Sequence, residues 1–299
     1  MAHTPLRLAA DRVIHSFSPD HPPALSVDPG TVLIVETRDT YNRRFQRGLK
    51  IDEYLRDRGE LNPATGPVCV NGARPGDSLD VKIEKIELGP TGYVVMAPGI
   101  GMMGDTQIEP RLARFHVRSD GLWFEDAIRL PLRPMVGVIG VAPSGGAIST
   151  SELGRHGGNL DCNEITEGTT VHLPVQVDGA CFAIGDAHAS MGSGEAHPGV
   201  NIDAAITLRL DLTPQEHCAM PWFETAGEVM TLGVEERIDD AIRAATLSMV
   251  DLLQRRLRIS YTDAVVLTGA ACDIRLGQAS RFGTKVSAYA AFPKSALER

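Results

Sequence analysis

The chain has 299 residues, 43% of them hydrophobic, which is enough to bury a large core. Glycine (30) and proline (19) are plentiful and aromatic residues make up only 5%, a mixture that favours a turn-rich β fold over a helical bundle. The formal net charge is −9 without any block of basic residues, so we expect neither nucleic acid nor a membrane surface as a partner, and no preference for an anionic substrate.

Most of the first 230 residues have the patterns of β-strands. Val32–Val35 is a continuous apolar run after the turn residues Asp28-Pro29-Gly30, which predicts a strand buried on both faces. Apolar and polar residues alternate in Leu79–Ile83 and in Ile206–Leu212, which predicts strands with one buried and one solvated face.

Two further strands are predicted on either side of the Asp178-Gly179 turn, over Thr170–Val177 and Phe182–His188. Because a tight turn separates them, we expect the two to pair as an antiparallel hairpin. His172 lies at a polar position of the first strand and is expected to be solvated.

The C-terminal part is predicted to be helical. Apolar residues recur at helical spacing in Glu235–Arg258, and the predicted core face consists of Ile238, Ile242, Met249 and Leu252. Ser260 and Asp263 resemble a capping box that starts a second helix, and a last strand is expected over Lys285–Ala291.

These elements predict a mainly β fold, with a β-sandwich or jelly-roll-like core and an added C-terminal α/β portion. Residues 1–230 would form the β-rich core that carries the chemistry. Residues 231–299 would form a helical hairpin and a final strand, packed on that core as one integrated unit.

The spacing of the cysteines indicates the cellular compartment of the protein. All five are scattered without a Cys-x-x-Cys pair, which is typical of reduced thiols. No apolar run reaches the ~18 residues that a membrane helix needs, and the N-terminus has no apolar signal segment. The expected localisation is the cytoplasm.

Residues suited to catalysis concentrate between His156 and Glu195. Asn159 and Asp161 follow two glycines that allow a ligand to approach the backbone. Asp186 and His188 alternate on a predicted strand and should share a face, where they could bind one metal ion or form a carboxylate-oriented imidazole. Each such pair is more often a surface feature, but their density within one short stretch indicates a site.

The run HGGNLDCNEITEGTTVHLPVQVDGACFAIGDAHASMGSGE, from His156 to Glu195, resembles the central signature of the acetamidase/formamidase family. That family has a GGN-x-D element, an LPV strand and a GD-x-H-x-x-x-G-x-GE element in this order and at this spacing. His15 with Val32–Thr37, the segment Asn62–Asp77 and the late Ala271–Arg275 are also similar to family motifs. The likeness extends over residues 10–294.

The resemblance implies a β-sandwich core with an α/β portion, a homo-oligomer (a dimer or larger), and hydrolysis of a small linear amide to carboxylate and ammonia. It also implies a divalent metal, with zinc expected before calcium. The implied metal ligands are Asp161, Asp186 and His188. Glu195 would shuttle the proton and Asn159 would hydrogen-bond the substrate amide, with Glu36 as a more distant catalytic candidate.

Two positions depart from the family pattern. Met191 stands where many members have glutamine, and if that glutamine contacts the substrate, an apolar wall at this position would favour a bulkier or less polar amide. Ser193 replaces an acidic residue and removes one possible ligand. Both departures affect the predicted substrate and leave the Asp186, His188 and Glu195 framework intact.

The positions of the lysines indicate which kind of nucleophile attacks the amide. Amidases that use serine or cysteine activate it with lysine, and no lysine occurs between Lys85 and Lys285. A water nucleophile, activated by metal or carboxylate, is therefore favoured. Two alternatives stay open: a metal-free site in which Glu195, or Asp186 with His188, is the base, and a β-sandwich protein that binds a small polar ligand without turnover.

Overall fold

The computed structural model describes residues 5–216, 218–279 and 284–297. Strands take up 41% and helices 14%, which confirms the mainly β class with a few C-terminal helices. Within the described residues the strands are β1 (Leu6–Leu8), β2 (Val13–Ile14), β3 (Ser16–Phe17), β4 (Leu25–Val27), β5 (Thr31–Thr37), β6 (Ala64–Val70), β7 (Ser78–Met96), β8 (Arg111–Arg118), β9 (Gly121–Phe124), β10 (Ile128–Leu130), β11 (Met135–Gly140), β12 (Ile148–Ser149), β13 (Leu153–Gly154), β14 (Gly157–Asn159), β15 (Thr170–Pro174), β16 (Phe182–His188), β17 (Asn201–Thr213), β18 (Trp222–Glu224), β19 (Glu228–Glu235), β20 (Asp273–Leu276) and β21 (Val286–Pro293).

The helices are α1 (Ile51–Arg56), α2 (Ile238–Leu257) and α3 (Tyr261–Ala271), followed by a 3-10 turn at Lys294–Ala296. As predicted, Ser260 caps α3, because its hydroxyl accepts a hydrogen bond from the Asp263 backbone N–H at 3.1 Å. Across the described ranges, none of the helices has the length and apolar character that crossing a bilayer requires.

Within the described residues, 19 strands form one large curled sheet in which nearly all pairs are antiparallel, and β3 and β12 form a separate two-stranded sheet. Its long strand β17 pairs with β5 and β7, and Ile206, Leu208 and Leu210 on its inner face are fully buried, as the alternation predicted. In β5, however, only Leu33 and Val35 of the apolar run are fully buried. The prediction that this run is buried on both faces is therefore wrong, because the core covers one face of the strand.

The predicted hairpin between Thr170–Val177 and Phe182–His188 is also wrong. Both segments contain strands, but β15 pairs with β7 and β18, whereas β16 pairs with β11 and β6. The turn at Asp178-Gly179 is followed by left-handed backbone at Ala180 (φ 58°) and Cys181 (φ 53°). This conformation directs the chain away from β15 to a different part of the sheet.

Helix α2 packs on β19 and β21 through small and apolar side chains. Met249 and Leu252 are buried as expected, but Ile238 and Ile242 are only partly buried. Close contact comes instead from the backbone: a Cβ at Gly233 of β19 would lie only 2.0 Å from the Ala241 carbonyl oxygen. Because β19 spans residue 230 and pairs along its whole length with β21, the two predicted parts of the chain share one continuous sheet.

His172 lies in a buried ion-pair network, so the expectation that it is solvated is wrong. Its Nδ1 is 2.7 Å from Asp80 Oδ1, its Nε2 is 3.4 Å from Glu224 Oε1, and its ring stacks on Trp222 at 3.7 Å. Burial opposes the charged ring, but the two carboxylates outweigh burial and raise the pKa of His172. His172 in turn lowers the pKa of Glu224 to about 2.

We predict that replacing His172 with Gln costs pH-dependent stability. A histidine with a raised folded pKa contributes fully below its unfolded pKa of ~6.5, and this contribution disappears as pH rises through the folded value. The difference in unfolding free energy between wild type and His172→Gln, measured by urea denaturation, should therefore be larger at pH 5.5 than at pH 9. His116→Gln on β8 is the control. A difference that stays constant with pH would contradict the ion-pair network.

Candidate active site

A cavity of about 240 Å³ lies beside β11, β14 and β16. It is lined by five of the residues predicted from the sequence, namely Asn159, Asp161, Asp186, His188 and Glu195. All five are at least 95% buried as residues. The structure therefore brings together side chains from three separate segments of the chain.

Strand β11 lies between the two segments that carry most of these residues. It pairs with β14, which ends at Asn159, and with β16, which ends at His188. Both aspartate carboxylates lie over Gly137 of β11, since a Cβ there would be 2.5 Å from Asp161 Oδ1 and 2.8 Å from Asp186 Oδ2. The absence of a side chain at Gly137 makes room for the two carboxylates.

The three acidic residues of the site have left-handed backbones. The φ angles are 42° at Asp161, 51° at Asp186 and 38° at Glu195. Such conformations are costly for residues other than glycine and occur preferentially at functional sites. At Asp186 the left-handed residue interrupts a β-strand, so simple strand alternation does not account fully for the direction of its side chain.

Asp161, Asp186 and His188 form a cluster that fits a metal ion. One potential ligand atom from each lies within 4.8 Å of the others, and all three residues are buried. Asp161 Oδ1, Asp186 Oδ1 and His188 Nδ1 have no hydrogen-bond partner among the described residues. Buried polar atoms without a partner are rare and costly, and a shared cation would satisfy all of them.

The protonation equilibria of the cluster are displaced toward the neutral forms. Burial and the charge of Asp186 raise the pKa of Asp161 to about 6. Burial and the charge of Asp39 raise the pKa of Asp186 to about 7. Burial and Asp161 raise the pKa of Glu195 well above its usual range, and burial lowers the pKa of His188. A bound cation would oppose the rise in the pKa of the carboxyl groups, and the lowered pKa of His188 keeps its imidazole in the neutral form that binds metal.

Gln278, from the segment between β20 and β21, connects two of the acids. It is fully buried, and its Nε2 donates to Asp161 Oδ2 at 2.7 Å and lies 3.5 Å from Glu195 Oε2. Its own backbone is held by Ser287, whose hydroxyl accepts from the Gln278 N–H at 2.8 Å. Gln278 thus orients the two carboxyl groups relative to each other.

Asn159 is oriented by a chain of side-chain hydrogen bonds. Thr40 donates to the Asn62 side-chain oxygen, and Asn62 Nδ2 donates to Asn159 Oδ1 at 2.9 Å. Because its oxygen is engaged, Asn159 offers its NH₂ group as a donor on the cavity wall.

Comparison with known proteins identifies the family of this chain. The sequence profile of the acetamidase/formamidase family matches residues 4–152 and 145–282. The chain belongs to the acetamidase/formamidase family.

Solved structures of similar proteins cover the whole chain. The acetamidase of Bacillus halodurans is 34% identical with a TM-score of 0.91, over 98% of this chain and 99% of that one. A predicted acetamidase/formamidase of Thermoanaerobacter tengcongensis is 34% identical with a TM-score of 0.94, over 99% of this chain and 98% of that one.

Two relatives found by sequence comparison share less sequence identity with this chain than these solved structures do. The acetamidase of Mycolicibacterium smegmatis is 26% identical over 266 residues, which are 66% of this chain and 64% of that protein. The matches span 58% to 64% of the length of the curated relatives.

Three positions that the family motifs suggested lie elsewhere. Glu36 does not line the cavity; its carboxylate pairs with Arg7 at 2.8 Å near the surface, because it lies on the outward face of β5. Met191 is buried without lining the cavity, and the Ser193 hydroxyl donates to the Leu276 carbonyl. The two departures from the family pattern therefore do not alter the cavity wall directly.

We predict that Gly137→Ala weakens the site while the fold remains. The new Cβ would displace the carboxylates of Asp161 and Asp186, so the affinity for a divalent ion, measured by titration calorimetry, should fall at least about tenfold. Gly145→Ala is the matched control, because a Cβ there meets nothing within 4 Å. Equal affinities in the two variants would show that the carboxylates do not act together on one ion.

Proposed function

We propose that this protein is a hydrolase that cleaves the C–N bond of a small linear amide to give a carboxylate and ammonia. The observation that carries this proposal is the convergence of Asp161, Asp186, His188 and Glu195 in one buried cavity. Membership of the acetamidase/formamidase family supports the same reaction. Acetamidases are also among the structural neighbours.

We further propose that Asp161, Asp186 and His188 hold a divalent ion, because their unpaired atoms converge and a cation would compensate the two buried carboxylates. A donor set of two carboxylates and an imidazole suits zinc better than calcium, which prefers oxygen ligands throughout. Such an ion would supply Lewis-acid chemistry, polarising the amide carbonyl and acidifying the attacking water.

The chain's own groups account for positioning and proton transfer. The Asn159 NH₂ donates to the substrate carbonyl oxygen, which holds the amide in place and stabilises the developing oxyanion. Glu195 accepts the proton from the attacking water and delivers it to the departing nitrogen, so that ammonia leaves. Gln278, by its contacts with Asp161 and Glu195, positions the acid for this transfer.

Two alternative functions for this cavity are distinguished by the experiment below. In a metal-free enzyme, Glu195, or Asp186 with His188, would act as the base directly. In a non-catalytic protein, the cavity would bind a small polar ligand without turnover.

We predict that purified protein releases ammonia from at least one of formamide, acetamide and propionamide, and that a chelator abolishes this activity. His188→Ala should lose bound metal and nearly all activity, while its thermal melting stays close to that of the wild type. His116→Ala, with a histidine removed outside the cavity, is the control.

Each alternative has its own signature. Activity that survives the chelator, and falls in His188→Ala at unchanged metal content, would favour the metal-free mechanism. Binding without ammonia release would favour the non-catalytic protein. Activity of folded His188→Ala within a few-fold of wild type would refute the site.

Assembly and compartment are also proposals. We propose a homo-oligomer, which exposed apolar side chains on α3 and β20 support, among them Val266 (63% exposed) and Ile274 (42%). We propose the cytoplasm because the five cysteines are free thiols. A monomeric mass by light scattering, or recovery outside the cytoplasmic fraction, would contradict these two proposals.

A further inference from the structure

The cavity is larger than a short amide requires. Its volume is about 240 Å³, whereas formamide and acetamide have only a few non-hydrogen atoms. Beyond the buried polar base, the walls include Tyr54, Leu61, Ile100 and Pro198. The cavity therefore has space and apolar surface for an acyl chain longer than acetyl.

A single permanent positive charge lies at the outer part of this cavity. Arg58 is the one lysine or arginine among the described lining residues, and it is exposed. Its guanidinium forms no salt bridge with the described residues. It lies close enough to Tyr54 that its charge opposes the rise in the Tyr54 pKa caused by burial.

The segment that carries Arg58 is held in place on both sides. Arg44 donates to the carbonyl oxygens of Asp57 and Arg58 at 3.1 and 2.5 Å. On the other side, His15 hydrogen-bonds the Leu61 carbonyl at 3.1 Å. Because the backbone of Arg58 is held in this way, its exposed side chain starts from a defined point on the cavity wall and is free of other charged partners among the described residues.

Building on the amidase function proposed above, we propose that the preferred substrate is an amide whose acyl chain ends in a carboxylate, and that Arg58 selects it. The amide group would lie among the acids and Asn159 at the base, and the chain would lie along the apolar wall. The free carboxylate would meet Arg58, whose planar guanidinium pairs with carboxylates through two parallel hydrogen bonds.

The test uses matched pairs of amides. Malonamate, succinamate and glutaramate are each compared with the neutral amide in which a methyl group replaces the carboxylate. At one chain length, the wild type should prefer the charged amide in kcat/KM by about tenfold or more. Arg58→Gln should abolish that preference by raising KM for the charged amide, with little change in kcat or in turnover of the neutral amide.

Arg56→Gln is the control, because it removes the same charge from α1 at a residue that does not line the cavity. Equal loss of preference in Arg56→Gln would show a general effect of charge and overturn the role of Arg58. Hydrolysis of neutral amides without any preference for charged ones would overturn the substrate proposal while the amidase function stands. Absence of hydrolysis of every amide would refute the function itself.

The thiols of Cys69 and Cys181 lie close together near the start of β16, at the end of the strand opposite His188. Val68 of β6 pairs with Phe182, the first residue of β16, and Cys69 and Cys181 are the chain neighbours of this pair. Their Sγ atoms are 3.6 Å apart. A disulfide joins sulfur atoms about 2.0 Å apart, so the two thiols need to approach each other by only about 1.5 Å.

We infer that Cys69 and Cys181 are a site of reversible oxidation by peroxide. Cys69 is half-buried and is the attacking thiol: peroxide oxidises its sulfur to a sulfenic acid and is reduced to water. The Cys181 sulfur then attacks the sulfenic sulfur, the S–S bond forms and a second water leaves. A hydrogen bond from Cys181 lowers the pKa of Cys69 to about 7, which increases its thiolate fraction.

Hydrogen peroxide treatment followed by mass spectrometry tests this site. We expect the loss of two hydrogen atoms, a cross-link between the peptides of Cys69 and Cys181, and full reversal by a dithiol. Cys181→Ser should not form the cross-link. Cys272→Ser should still form it, because Cys272 has no thiol partner among the described residues and burial, with the charge of Asp273, raises its pKa to about 11. An unchanged mass, or a cross-link to another cysteine, would refute the inference.

Discussion

Three carboxyl groups, those of Asp161, Asp186 and Glu195, are buried around one point, and much of the surrounding structure follows from this arrangement. Burying like charges together is expensive, so the groups are driven toward their neutral forms unless a cation or hydrogen bonds compensate. Gly137 supplies the space, and Gln278 supplies an amide donor to two of the acids. The left-handed backbones of all three acids show that the fold accepts local strain to hold them there.

The central part of this site could be predicted because its residues are close in sequence. Asp186 and His188 are two positions apart, and the structure brings them together even though Asp186 departs from regular strand geometry. Gln278 could not be predicted, since it reaches Asp161 across 117 positions of sequence and follows no recognisable pattern. Glu36 is the opposite case: its motif suggested a catalytic role, but a motif does not determine which face of a strand a residue occupies, and Glu36 lies outside the cavity and pairs with Arg7.

In the fold, too, the features that depend on neighbouring residues could be predicted, and those that depend on distant residues could not. Period-two alternation predicted a strand over Ile206–Leu212 and its buried face, which lie within β17, because that pattern depends on the strand alone. The partners of a strand depend on contacts far along the chain. β15 and β16 are consecutive, yet each pairs with strands distant in sequence, since the backbone at Ala180 and Cys181 separates them. A turn signal between two strands therefore predicts the turn and leaves the pairing open.

The charge of the ligand that the cavity prefers also depends on nearby groups rather than on the net charge of the chain. A net charge of −9 describes the whole surface and disfavours anionic ligands in general. At physiological ionic strength, however, exposed charges are screened over ~8 Å, so the outer cavity is governed by the groups that line it. There the charged residue is Arg58, while the acids lie at the buried base. An amide with a carboxylate at its far end matches both parts of the cavity, and a carboxylate next to the scissile amide would instead meet the buried acids.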